Sequence, residues 1–259
     1  MSWDAEQVGR ATNKFHSVES DLERKYIHEY EAILTEADKP IRIITLSPEF
    51  ADNDAAIDAF ERVSGQWYNV NTHPNTISII EREATPRPWI AVEQHQEPTL
   101  DQVQSRLTPI EIEAVITDTA EALRTLGLYN AVHGMLSPED ITVVRDDSGT
   151  TAQVGGFGLN YAVRAALGES KPTSYMAPEL LDNAEHSIEQ TDVYGLGAIT
   201  YFALTGQTPV DGSNIEQAIC DGPSHPPSEH ADKINPALDD CIMRALSTYP
   251  GDRQDSPHA

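Results

Sequence analysis

Cations are scarce in this sequence. Asp and Glu number 42 among the 259 residues against 17 Lys and Arg, which gives a formal net charge of −25, and only five of the cations are lysines. Proteins bind nucleic acids and anionic membranes through clustered cations, so this composition argues against both as partners. Hydrophobic residues still make up 39% of the chain, which is too many for a disordered protein.

Cysteines and long apolar runs are also few. Cys220 and Cys241 lack CxxC spacing, so neither a disulfide framework nor a zinc site is indicated. We expect both to be small buried side chains. No apolar run approaches the roughly 18 residues of a membrane span, and the N-terminus lacks the apolar core of a signal peptide. The expectation is a cytoplasmic protein with no membrane span.

The acid is spread evenly along the chain. An acidic, lysine-poor surface on a folded protein resembles the proteins of salt-accumulating halophiles, in which multimolar salt screens the self-repulsion of the charge. The composition therefore indicates a haloarchaeal source. The simpler alternative is an acidic protein from a mesophile.

The most informative stretch lies between His133 and Glu179. It reads HGMLSPEDITVV, then VGGFGL, then TSYMAPELL, and TDVYGLGAITYFALTGQTPVDG follows. This order resembles the C-terminal lobe of the eukaryotic-type Ser/Thr protein kinase family. There a catalytic loop HRDLKPEN is followed by a metal-binding DFG, an activation segment ending in APE, and a helix containing DVYSLG.

The resemblance implies an α+β, protein kinase-like bilobal fold, with a small β-rich N-terminal lobe containing one main helix and a larger, mostly α-helical C-terminal lobe. We expect a tail over residues 1–14, the N-terminal lobe over 15–96 and the C-terminal lobe over 97–259. Together they form one domain, which could be cut from a longer protein. KYIHEYEAILTE and KPIRIITLS around EADKP predict a hairpin. The apolar spacing of PIEIEAVITDTAEALRTLGLYNAVHG, beginning with Ile110, predicts the long central helix.

Residues that hold the family's fold together are kept. The resemblance implies that His133 packs against Phe157 and that Asp192 accepts hydrogen bonds from the backbone of the catalytic loop. It also implies a buried ion pair between Glu179 and Arg253.

Residues that perform the family's chemistry are changed. Met135 aligns with the catalytic Asp, Ser137 with the catalytic-loop Lys and Asp140 with the metal-binding Asn. Gly156 aligns with the DFG Asp, Ile44 with the phosphate-binding Lys and Val63 with its Glu partner. The segment ESDLERKYIHEY stands where the family has its glycine-rich loop and contains no glycine, so its backbone cannot cradle a polyphosphate in the same way.

These changes predict a pseudokinase, an interaction or regulatory module in signalling with no catalytic residue, no cofactor and no metal. Its partner would be a protein, either a true kinase or domains fused in a longer chain. Two alternatives remain: a nucleotide-binding sensor, and a weakly active Ser/Thr kinase that transfers the ATP γ-phosphate with unorthodox residues. In both, ATP would contact the hinge and Lys25, and Mg²⁺ would depend on Asp140. The hinge residues are Glu93, Gln94 and His95.

The adenine site is expected to be filled. The two small apolar residues that cover adenine in the family align with Glu29 and Arg42. They lie on adjacent strands of the predicted hairpin, so we expect them to pair with each other. A register slip of one residue would instead turn both side chains to solvent.

Overall fold

The computed structural model describes residues 14–85, 87–94, 96–169, 171–182, 187–231 and 234–257. Its strands are β1 (Phe15–Glu23), β2 (Ile27–Leu34), β3 (Lys39–Leu46), β4 (Ile79–Glu83), β5 (Trp89–Glu93), β6 (Ile141–Asp146) and β7 (Gly149–Val154). Its α-helices are α1 (Asp54–Asn69), α2 (Leu100–Val103), α3 (Pro109–Leu128), α4 (Leu159–Ala166), α5 (Glu189–Thr205), α6 (Ile215–Asp221) and α7 (Pro236–Ala245). Single 3₁₀ turns lie at Gln104–Arg106, Pro138–Asp140, Pro178–Leu180, Pro227–Glu229 and Pro250–Asp252.

The chain divides into two compact units. Of the described residues, those within 1–72, 77–96 and 159–169 form the first unit, and those within 73–76, 97–158 and 170–259 form the second. The boundary between residues 96 and 97 falls where the sequence places it. Two short segments differ from the expected division, since residues 73–76 belong to the second unit and residues 159–169 to the first.

The first unit is built on a five-stranded antiparallel sheet with strand order β1-β2-β3-β5-β4. The predicted hairpin is β2–β3, in which Tyr30 pairs with Ile43 and Ala32 with Ile41. Alternate residues of these strands share one face, and on that face they form a core with Trp89. This face of the hairpin is therefore apolar and buried, and Glu29 and Arg42 belong to the opposite face.

Helix α1 supplies the helical layer of the first unit. Asn53 caps it by accepting a hydrogen bond from the Ala56 backbone N–H at 3.1 Å. Phe60, Val63 and Trp67 recur at helical spacing and are buried, as expected for a helix that packs with one face. Helix α4 packs against α1 within the same unit.

The second unit is organised by α3 and α5. Thr108 and Glu111 form a capping box at the start of α3, which begins with Pro109 in the first turn, a favourable position for proline. The predicted central helix is therefore present, but it ends at Leu128 and not at Gly134, where the predicted stretch ends. Ile110 differs from the expectation because it is 79% exposed. It lies in the first helical turn, and the buried face begins only at Val115.

Helix α5 is buried around most of its circumference, which identifies it as the core of the helical unit. A Cβ at Gly197 would lie 2.8 Å from the Cβ of Ala245 in α7, so glycine allows these two helices to pack closely. With one sheet-based unit and one helical unit, the predicted α+β class is confirmed.

The two cysteines are exposed, not buried as predicted. Cys220 lies in α6 next to Ile219, which is fully buried, and Cys241 lies in α7 next to Ile242. Adjacent residues on a helix point about 100° apart, so each cysteine is turned away from the face that its neighbour buries.

Candidate functional site

The loop from His133 to Asp140 is fixed by a buried carboxylate. Asp192, in the first turn of α5, accepts hydrogen bonds from the backbone N–H groups of His133 and Gly134, both at 2.8 Å. Burial raises the pKa of Asp192 above its usual range, although these two hydrogen bonds lower it. The expected contact between Asp192 and the loop backbone is therefore present.

The imidazole of His133 contacts the segment Gly155–Gly158. It stacks on Phe157 with ring centroids 5.3 Å apart, and its Nε2 lies 3.0 Å from the carbonyl oxygen of Gly155. Phe157 itself has a φ of 43°, a left-handed conformation that is uncommon for a bulky residue. The predicted packing of His133 on Phe157 is present, and it joins the loop to the segment Gly155–Gly158.

Asp140 closes the loop on itself. Its Oδ2 accepts hydrogen bonds from the backbone N–H and the hydroxyl of Ser137, both at 2.8 Å. Burial raises the pKa of Asp140, while the electrostatic interaction with His133 and the hydrogen bonds from Ser137 lower it. One carboxylate oxygen is thus committed to capping the 3₁₀ turn Pro138–Asp140.

The other oxygen of Asp140 fills the space beside Gly156. A Cβ built on Gly156 would overlap Asp140 Oδ1 and lie 3.2 Å from Asp140 Cγ. Gly156 also has a φ of +72°, which favours glycine. With Asp140 in this position, residue 156 therefore lacks room for the carboxylate-bearing side chain that the family carries there.

Met135 contributes an apolar surface where the family has a carboxylate. It is partly buried, and a Cβ on Gly158 would lie 3.4 Å from the Met135 Cβ and 2.7 Å from the His133 carbonyl oxygen. A thioether can neither accept a proton from a hydroxyl nor bind Mg²⁺ strongly. Among the residues that the structure describes, no group of three or more His, Cys, Asp or Glu is placed to hold a metal ion.

Two further positions lie in the first unit and are apolar. Ile44 in β3 is 8% exposed and Val63 in α1 is 5% exposed. Both pack as hydrophobic side chains, as the sequence predicts for Ile44. The ion pair that the family forms between these positions is replaced by two aliphatic residues.

The turn between β1 and β2 holds the remaining lysine candidate. Lys25 forms an ion pair with Glu169, and Tyr26 donates a hydrogen bond to the same Oε2 atom at 2.7 Å. The pKa of Lys25 is raised, mainly by the hydrogen bond to Glu169. Lys25 is thus already occupied by a carboxylate of its own chain.

The hinge residues are only partly described. Glu93 ends β5, and its backbone N–H donates to the Ser78 carbonyl at 3.0 Å. Gln94 donates from its side chain to Glu31 of β2. His95 lies outside the described residues.

The predicted pair on the hairpin is present. Arg42 Nη1 lies 3.4 Å from Glu29 Oε2, and Arg24 Nε lies 3.5 Å from Glu29 Oε1. Glu29 pairs with Ile44 across the strands, so it is diagonal to Arg42 on one face and the register has not slipped. Glu29 is only 7% exposed, and its charge is balanced by two arginines where the sequence predicted one.

Glu179 and Arg253 form a bidentate, buried ion pair. Arg253 Nη1 and Nη2 donate to the two carboxylate oxygens, each at 2.8 Å, and Arg253 has a fully buried side chain. Arg253 also donates to the backbone carbonyls of Gln190 and Ser247 at 2.8 Å. Burial raises the pKa of Glu179, but the bonds from Arg253 outweigh it, so the net pKa is lowered. This prediction is confirmed.

Sequence reasoning missed several features of these sites, of which two are instructive. The Ser137–Asp140 cap could have been found, because a hydroxyl residue followed three positions later by an acid is a capping pattern. The pairing of Glu169 with Lys25 and Tyr26 had no comparable signal, because more than 140 positions separate the partners.

Comparisons with known proteins identify similar sequences and structures. Residues 58–259 match the model of the family described as protein kinase domain. Serine/threonine-protein kinase Pkn1 of Myxococcus xanthus is 28% identical over 198 residues, which are 71% of this chain and 28% of Pkn1. PknH of Mycobacterium tuberculosis is 31% identical over 165 residues, which are 60% of this chain and 26% of PknH. The chain thus spans less than a third of the length of either relative.

Solved structures show the same fold. The kinase domain of Mycobacterium tuberculosis PknI, in a double-mutant form, superposes with a TM-score of 0.72 at 22% identity, covering 94% of this chain and 91% of that one. In the part of the chain that is described, no helix is long and apolar enough to cross a membrane.

Proposed function

This chain belongs to the protein kinase domain family, has the bilobal protein kinase fold, and we propose that it is a pseudokinase, an interaction or regulatory module that does not transfer phosphate. The observation that carries this proposal is the Asp140 carboxylate lying where a side chain at position 156 would begin. A site that had merely lost the DFG carboxylate would leave that space open, whereas here another residue fills it.

Phosphoryl transfer depends on positioning and on stabilising charge. It requires a lysine on the phosphates, metal ions held by Asp and Asn, and an Asp that orients the attacking hydroxyl. Loss of acid–base assistance alone costs a factor of about 10²–10⁴ in rate. Each of these tasks has lost a residue. Ile44 stands in place of the phosphate-binding Lys, Gly156 in place of the metal-binding Asp, and Met135 in place of the Asp that orients the hydroxyl.

The residues present do not fit Mg²⁺ and ATP. Mg²⁺ prefers one or two carboxylates combined with substrate phosphates, and Asp140 already uses Oδ2 to cap its own turn. In the first unit, the sheet face that would meet adenine carries the Glu29–Arg42 pair. A triphosphate approaching a protein of net charge −25 would also be repelled.

One observation favours the nucleotide-sensor alternative. Lys25 lies at the glycine-free β1–β2 turn with its side chain 53% exposed. If the phosphates of a nucleotide displaced Glu169, Lys25 and Tyr26 would be the residues that bind them. Nucleotide binding by a sensor would therefore depend on Lys25, so a substitution of Lys25 distinguishes this function from that of a pseudokinase.

Calorimetry decides between the two. ATP is titrated into the protein in multimolar KCl, with and without Mg²⁺, and a parallel reaction with labelled ATP reports transfer to the chain or to a generic protein substrate. We expect no binding heat and no transfer. Micromolar affinity that is lost in Lys25→Met would establish the sensor, and transfer above background would establish an enzyme. A matched control is Lys39→Met, which removes one exposed lysine at the far end of the same sheet.

A protein partner follows from this proposal, because a fold without transfer chemistry can act only through its surfaces. The partner classes are those expected from the sequence, a true kinase or domains fused in a longer chain.

A further inference from the structure

Gln254 lies just beyond the 3₁₀ turn Pro250–Asp252, and its side chain is turned inward. Only 8% of the residue is exposed, which is uncommon for glutamine. Its Nε2 donates to the backbone carbonyl of Cys241 in α7 at 2.9 Å and lies 3.4 Å from the Cys241 Sγ. The carboxamide of Gln254 therefore contacts both the backbone and the sulfur of one residue.

The oxygen of this carboxamide lacks a donor. The Oε1 of Gln254 is buried and has no hydrogen-bond partner in the part of the chain that the structure describes. Reversing the amide would not correct this, because it would place Oε1 against the carbonyl oxygen of Cys241, and both atoms are acceptors. A buried acceptor without a donor is destabilising. A donor group attached to the sulfur would therefore be stabilised by Gln254.

Cys241 is accessible to solvent, although Gln254 is not. The cysteine is exposed, while its neighbour Ile242 is 3% exposed and faces the core. An exposed thiol can react with a small oxidant such as hydrogen peroxide, and the first product is a sulfenic acid, which carries an O–H group on the sulfur. Oxidation of Cys241 thus creates a donor next to the one carboxamide that lacks it.

We propose that Cys241 is a site of reversible oxidation to a sulfenic acid by hydrogen peroxide, and that Gln254 binds and preserves the oxidised form. The Cys241 thiolate attacks one peroxide oxygen, so that an S–O bond forms and the O–O bond breaks. The sulfur loses two electrons, and the second peroxide oxygen leaves as hydroxide, which the proton of the thiol converts to water. The S–O–H group then donates a hydrogen bond to Gln254 Oε1 and accepts one from Nε2.

The oxidised residue is coupled to the segment that contains Arg253, the cation of the buried ion pair. Gln254 follows Arg253 directly in the chain. Arg244 of α7 donates to the Asp252 carbonyl at 3.2 Å and to the Arg253 carbonyl at 3.4 Å, so this segment is attached to α7 on either side of the cation. A further hydrogen bond between Cys241 and Gln254 strengthens the attachment. Oxidation therefore stabilises the position of Arg253.

Two single-cysteine proteins test the proposal. Cys220→Ser leaves only Cys241, and Cys241→Ser leaves only Cys220, which is also exposed. Each protein receives a pulse of hydrogen peroxide, catalase removes the excess, and dimedone, which labels sulfenic acids, is added after increasing delays before mass spectrometry. The sulfenic acid should persist about tenfold longer on Cys241 than on Cys220, the factor that corresponds to one hydrogen bond. Equal lifetimes would overturn the proposal.

The role of Gln254 is tested in the protein that retains Cys241. Gln254→Met keeps the length of the side chain but removes its donor and its acceptor, so the lifetime of the sulfenic acid should fall to that measured on Cys220. The matched control is Gln217→Met, which makes the same change at an exposed position of α6 and should leave the lifetime unchanged. If both variants preserve the sulfenic acid equally, Gln254 does not bind it.

Thermal unfolding provides a second readout, which holds even if Gln254→Met lowers the stability of the reduced protein. Peroxide should raise the unfolding midpoint of the protein that retains Cys241, because the buried Oε1 of Gln254 gains a donor, and dithiothreitol should reverse the rise. In Gln254→Met the midpoint should not rise on oxidation. A midpoint that falls or stays constant when Cys241 is oxidised in the presence of Gln254 would contradict the proposed hydrogen bonds.

Discussion

The carboxylate of Asp140 occupies the space into which a side chain at position 156 would extend. Its Oδ2 is bound by Ser137 and its Oδ1 faces the bare backbone of Gly156. Two departures from the family's pattern, an Asp for the Asn and a Gly for the Asp, thus fit each other in space. The site has been repacked around a single remaining carboxylate.

The contact between Asp140 and position 156 should make Gly156→Ala more destabilising than the positive φ of Gly156 alone explains. Gly168 is the control, because it has nearly the same φ, +74° against +72°, and nothing within 4 Å of an added Cβ. Gly168→Ala should cost about 1–2 kcal/mol for the left-handed conformation alone, and Gly156→Ala should cost more. Thermal or urea unfolding of the two variants measures the difference.

A double-mutant cycle identifies the cause of that difference. Asp140→Ala removes the cap and should cost about 0.5–2 kcal/mol. Added to Gly156→Ala, it should cost less than the sum of the two single changes, because it removes the overlapping oxygen. Strict additivity would mean that Asp140 can move aside without cost.

Arg253 should be among the most costly side chains to remove. Arg253→Met leaves Glu179 buried without its cation, and breaking one side of a buried pair costs about 3–5 kcal/mol. Arg145→Met is the comparison, since its pair with Glu111 is 41% and 22% exposed and exposed pairs contribute about 0–1 kcal/mol. Urea unfolding in high salt gives both values, and equal midpoints for the two variants would contradict the buried role of Arg253.

Salt should stabilise the fold. The net charge of −25 repels itself over a Debye length of about 10 Å at 0.1 M salt and about 3 Å at 1 M. The unfolding midpoint, followed by circular dichroism, should therefore rise from dilute to multimolar KCl. The same midpoint at both ends would contradict the halophilic interpretation.

Sucrose provides the control for this measurement. It strengthens burial by exclusion from the protein surface but carries no charge. If sucrose raised the midpoint as much as KCl does, the effect would come from exclusion and not from screening.

The sequence by itself determined the elements with local or motif-level signals. Alternation along KYIHEYEAIL and KPIRIITL predicted the β2–β3 hairpin, and the spacing of apolar residues predicted α3, because side-chain period follows directly from backbone geometry. The motif order predicted the fold and the pairing of Glu179 with Arg253, although 74 positions separate the two residues. The resemblance to the family predicted this long-range contact, for which the local sequence contains no signal.

Tertiary structure alone decided the contacts between residues without a shared motif. The overlap of Asp140 with position 156, the second arginine at Glu29, and the capture of Glu169 by Lys25 and Tyr26 depend on how separate segments pack. The exposure of Cys220 and Cys241 was likewise set by the orientation of their helices. Composition describes what a side chain prefers, but which face of an element is covered depends on its neighbours in space.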